Sequence, residues 1–105
     1  MINVTFTTEG NKLSLRLKGH AGYAEHGKDI VCASASILAY TLASIVESFG
    51  EVKSNIDLTG GDTTIECECK DDETYRKAAD AYHYTERGYA LLAHNYPQYV
   101  RLIES

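Results

Sequence analysis

The chain has 105 residues, 44% of them hydrophobic, which is room for one core and no second module, so a single domain over residues 1–105 is expected. Fifteen acidic residues against ten basic give a formal net charge of −5, and no Lys/Arg cluster stands out, which argues against direct binding to a nucleic-acid backbone and favours a cationic partner. The N-terminus carries no basic and then apolar leader, and no run approaches the roughly 18 residues that cross a bilayer, so a soluble, cytoplasmic protein without a membrane partner is expected.

In chain order, Ile2, Val4 and Phe6 alternate with Asn3 and Thr5, and Leu13, Leu15 and Leu17 alternate with Ser14, Arg16 and Lys18. Period two over both runs predicts two half-buried strands, and Glu9-Gly10-Asn11 between them suits a hairpin turn. From Asp29 the period changes. Val31, Ala35, Leu38, Leu42, Ile45, Val46 and Phe49 recur at spacings of three and four up to Gly50, which predicts a helix of about twenty residues stopped by that glycine. Ala33, Ile37 and Tyr40 make its other side apolar too, as for a helix covered by the sheet and by something else.

A second hairpin follows, Val52 to Leu58 and Thr63 to Cys69, turned by Thr59-Gly60-Gly61-Asp62. Asp71 or Asp72 can cap a second helix, with Tyr75, Ala78, Ala79, Tyr82, Glu86, Tyr89, Ala90 and Ala93 on one stripe. Pro97 ends it, and Tyr99 to Ile103 can add an edge strand. The order ββαββα, with a possible short C-terminal strand, is an α+β fold in which two hairpins form a sheet packed against two helices.

The segment from Gly19 to Cys32 does not fit a purely structural account. It holds Gly19, Gly22 and Gly27, His20 and His26, and Cys32 between a strand end and a helix start, which makes a loop with chemistry at both ends. Free amides and the dipole at a helix N-terminus stabilise an anion, and cysteines in such places titrate from roughly 3.5 to 7.5 when an imidazole stands beside them. A thiolate near an imidazole is sufficient for acyl transfer, and amides of the same helix turn could hold the oxyanion. A cysteine in an Ala/Ser-rich helix can equally be a small core residue, and a lone histidine at a strand end a surface group.

Gly19-His20-Ala21, a Gly-containing spacer, and Asp29-Ile30-Val31-Cys32-Ala33 with Ser36 one turn on closely resemble the motif of the bacterial ribosomal-processing cysteine protease family, Prp. The resemblance extends to the length, the two hairpins and two helices, and the Tyr96-Pro97-Gln98-Tyr99-Val100 tail. It implies a cytoplasmic, homodimeric endopeptidase without metal or cofactor. Such an enzyme removes a short N-terminal extension from protein twenty-seven of the large ribosomal subunit. It also implies that Cys32 is the nucleophile and His20 the general base. Gly19, Asp29 and Ser36 are expected to support them, and the loop through Gly22, Tyr23 and Gly27 to close over substrate.

Asp29 has two conflicting options. As N-cap it would occupy an amide of the first turn, and as an orienter it would accept a hydrogen bond from His20. Ser36 can pack under the site or donate into it. His26, six residues before Cys32, could serve as the base or join His20 and Cys32 on a metal. Cys67 and Cys69 read as core, His83 and His94 as surface or interface groups. The tyrosines of the second helix read as a core stripe, a dimer contact or a wall for an apolar peptide. Gly88 marks a place where another backbone comes close. The rival from another class is a non-catalytic ribosome-assembly module that holds a basic protein tail.

Overall fold

The computed structural model describes residues 1–104. Strands β1 (Ile2–Glu9) and β2 (Lys12–Lys18) form the first hairpin, α1 (Ile30–Ser48) follows, β3 (Val52–Thr59) and β4 (Asp62–Cys69) form the second hairpin, and α2 (Asp72–Asn95) leads into β5 (Val100–Glu104). The five strands make one sheet in the order β3-β4-β2-β1-β5, the α+β arrangement that the alternation of elements predicts.

Register follows from the period-two pattern. Leu15 stands opposite Phe6 on one side and Ile65 on the other, and Leu17 opposite Val4 and Thr63. A one-residue slip would turn every one of these side chains to the wrong face. They bury against both helices in one core that also holds Val31, Ala35, Leu42 and Val46 of α1 and Ala78, Tyr82, Tyr89 and Leu92 of α2. Full burial of each large aliphatic side chain stabilises the fold by about 1.5–3 kcal/mol. The opposite sheet face is polar, with Lys12 to Glu66 at 3.2 Å and Arg16 to Asp62 at 3.4 Å, exposed pairs that add little stability.

Tyr82 donates its hydroxyl to the Ile65 carbonyl at 2.8 Å and Tyr89 to the Ala35 carbonyl at 2.7 Å, so these two buried phenols belong to the core. The stripe on α2 also includes Thr85 and Leu92, which the sequence reading left out.

Four sequence expectations need correction. Helix α1 has 19 residues and is long and apolar enough, by length and composition alone, to cross a membrane. Here its sheet-facing side is core, with Val31, Ala35, Ala39, Leu42, Ala43 and Val46 buried. Its outer side is not covered by another element among the described residues, since Ile37 is 60% and Tyr40 49% exposed. The helix ends at Ser48 with Phe49 extended as C-cap, and Gly50 has no positive φ. At Gly88 it is the Leu38 side chain, not a backbone, that comes close, 2.8 Å from where a β-carbon would stand.

Burial sets an alkaline limit. It pushes the Cys67 thiol up to about 12, with Cys69 adding to the effect, and it raises the phenols of Tyr82 and Tyr89. Acids whose folded values are raised contribute fully below their unfolded values and lose that contribution as pH rises toward the folded ones. Urea unfolding is therefore expected to give constant stability from pH 6 to 8. From about pH 9 for Cys67, and from about pH 10 for the two phenols, stability falls by about 1.4 kcal/mol per pH unit for each group, and Cys67→Ala makes the decline shallower.

Candidate active site

The site forms where β2 ends, α1 begins and the tip of the β3–β4 hairpin comes alongside. At the end of β2 the chain turns through Gly19 at φ +97, where a β-carbon would lie 2.4 Å from the Met1 carbonyl oxygen. Glycine is required there by both conformation and space. The Gly19 amide donates to the Gly61 carbonyl at 2.9 Å, which ties the strand end to the hairpin tip. The Met1 backbone nitrogen donates to the carbonyls of His20 and Ala21. His20 is thereby fixed at the backbone while its side chain is exposed.

Asp29 is the N-cap of α1 and more. Its Oδ1 accepts from the amides of Val31 and Cys32, both at 2.9 Å, and its Oδ2 accepts from Tyr23 at 3.0 Å and Ala24 at 3.2 Å. Burial works against the charge, but these four amides prevail and hold the carboxyl below the usual carboxylate range. Of its two options, Asp29 takes the cap, and both oxygens are committed to backbone amides. The Val31 and Cys32 amides are thus engaged by the cap, as the N-cap option implies.

Cys32 lies in the first turn of α1 and is half-buried. The Ala21 amide donates to its Sγ at 3.4 Å. His20 and Cys32 line one cleft of about 470 Å³ together with Gly22, His26, Gly27, Asp29 and Ser36. An adjoining cavity of about 220 Å³ shares His20, His26, Cys32 and Ser36 and continues between Leu17, Tyr40, Leu58, Gly61 and Thr63. The larger volume is ordinary for a site that takes a small ligand or part of a peptide.

Among the described residues no hydrogen bond joins the His20 imidazole to Cys32, although both line the same cavities. Nor do the described residues contain a group of three His, Cys, Asp or Glu side chains placed to hold a metal. His26 shares both cavities with His20, so cleft shape alone does not choose between them. Tyr23 is absent from both linings. Its ring packs edge-on against Tyr96 and Tyr99, with centroids at 5.6 and 5.1 Å, and so anchors the loop to the C-terminal segment. Cys67 and Cys69 are buried on β4, their sulfurs 3.8 Å apart.

Ala21, which stood in the motif without a role, and the Gly60-Gly61 tip are site members whose part sequence reasoning did not assign. The first acts through its backbone, which no residue type reveals, and the second read only as a turn.

The family profile described as cysteine protease Prp matches residues 1–101. The crystal structure of the essential ribosomal processing protease Prp from S. aureus, in complex with a covalently linked product peptide, is 27% identical with a TM-score of 0.81, covering all of both chains. A Streptococcus mutans protein structure is 29% identical with a TM-score of 0.71, over 99% of this chain and 93% of that one. The S. aureus protease in complex with a substrate peptide, at 20% identity and a TM-score of 0.74 over all of both chains, shares the fold. No curated protein matches.

Proposed function

This chain belongs to the Prp family of ribosomal-processing cysteine proteases, and from that premise we propose that Cys32 and His20 are its nucleophile and general base. Its proposed substrate is the N-terminal extension of bacterial large-subunit ribosomal protein twenty-seven, and the proposed setting is a cytoplasmic homodimer. The observation that carries this reading is the cleft shared by the two side chains, with the Ala21 amide aimed at the sulfur. The family motif favours His20 over His26.

In this mechanism the imidazole, which lines the cleft with Cys32, takes the Cys32 proton. Sγ bonds to the scissile carbonyl carbon, and the C=O electron pair moves to oxygen. With two amides of the helix start bound by Asp29, the Ala21 N–H, 3.4 Å from Sγ, is the proposed donor to the developing oxyanion. It serves sulfur first and oxygen as charge moves there. The imidazolium passes its proton to the leaving nitrogen as the C–N bond breaks. Water, deprotonated by His20, then adds to the thioester, and the carbon–sulfur bond breaks to release the acid and restore the thiol. The cycle needs no metal or cofactor.

Incubation with a peptide that spans the extension junction, followed by mass spectrometry, tests the substrate. Cleavage at a single bond is expected. An uncut junction peptide, alongside cleavage of an unrelated peptide, would overturn the substrate while leaving the protease reading intact.

A further inference from the structure

Gly61 stands at the tip of the β3–β4 hairpin, far from His20 in sequence, and the fold brings them into contact. Its φ is +83, and a β-carbon there would lie 2.7 Å from His20 Nε2, 3.1 Å from Cε1 and 3.4 Å from Cδ2. The imidazole therefore rests edge-on against the one face that a side chain would fill. The same residue accepts the Gly19 amide through its carbonyl at 2.9 Å, so the backbone that receives the ring also fixes the strand end that carries it. Turn geometry alone does not demand this closeness. Gly10, in the β1–β2 turn, has φ +60 and nothing within 4 Å of its β-position, and Gly60 next door is equally open.

We infer that Gly61 is a positioning residue of the reaction: its missing side chain makes the seat on which the His20 imidazole rests beside Cys32. The inference rests on the reading of His20 as general base. The hairpin tip is then a wall of the active site, and it limits where the exposed ring can stand. A methyl group at Gly61 would push Nε2 off that seat by enough to matter, since misplacement of a reacting group by about 1 Å can cost on the order of a hundredfold in rate.

The test compares Gly61→Ala with Gly10→Ala, which also places a side chain at positive φ but without the clash, using the junction peptide and NMR titration of the imidazoles. Both variants are expected to lose comparable folding stability. Gly61→Ala alone should move the His20 ring resonances and titration midpoint, and lower kcat by about a hundredfold with KM within about twofold. Gly10→Ala should leave both readouts as in the wild type. If the two variants match in kcat and in the His20 titration, the inference is overturned. Should Gly61→Ala fail to fold, the wild-type protein decides. Nuclear Overhauser contacts between the His20 ring and the Gly61 α-protons are expected, and their absence overturns the seat. Undiminished cleavage by His20→Ala would instead remove the base assignment, an outcome that the ring contacts do not affect.

Discussion

His20→Ala and Cys32→Ala are each expected to reduce cleavage of the junction peptide by at least about a thousandfold, and the double variant by no more than either alone. The two groups act on one proton, so losing either leaves the other without a task. Without the sulfur there is no thioester; without the imidazole, the sulfur lacks a proton acceptor and the leaving amine a donor. His26→Ala is the informative companion, because His26 lines the same two cavities. It should keep most of the activity. If His26→Ala were inactive and His20→Ala active in steady-state kinetics, the roles would have to be exchanged.

The second large effect is expected at Asp29. Its carboxylate joins two structures that would otherwise separate: Oδ1 closes the first turn of α1, and Oδ2 gathers the loop through Tyr23 and Ala24. Asp29→Ala removes both, with a loss of about 2 kcal/mol in urea unfolding, the upper end for a helix cap, and a nearly complete loss of cleavage as the loop leaves the cleft. Asp29→Asn separates the two functions. Its carbonyl oxygen can still cap Val31 and Cys32, whereas its NH2 cannot accept from Tyr23 and Ala24. It should therefore retain most of the stability and lose much of the activity. Because the folded carboxyl is held below its ordinary value near 3.8, its contribution is present above that value and disappears as pH falls through the folded one. Equal stability and activity of wild type and Asp29→Ala at pH 7 would refute this role.

Much of this architecture was legible because alternation and helical spacing depend on burial alone. Leu13, Leu15 and Leu17 had to face one way, and all three are buried. The pairing of β5 was not legible, since Val100 meets Ile2 across nearly the whole chain in a parallel register that no local pattern encodes. Ile37 and Tyr40 show the opposite failure: their apolar character suggested cover that the described residues do not supply. At the site, the residue types of His20 and Cys32 announced chemistry. The commitment of Asp29 to four amides could not be read, because it depends on how the glycines of the loop turn Tyr23 and Ala24 back toward the helix. Ala21 was hidden for a simpler reason, as its contribution is a backbone N–H.

The most direct measurement is the location of a covalent adduct. A chloromethyl ketone built on the extension peptide, reacted at pH 7 under native conditions and mapped by peptide mass spectrometry, should label Cys32. Cys67 and Cys69, both buried, should stay unmodified, and cleavage should stop in proportion to labelling. Cleavage that persists with Cys32 fully modified, or inactivation that maps to another residue, would contradict the assignment of that sulfur as the nucleophile.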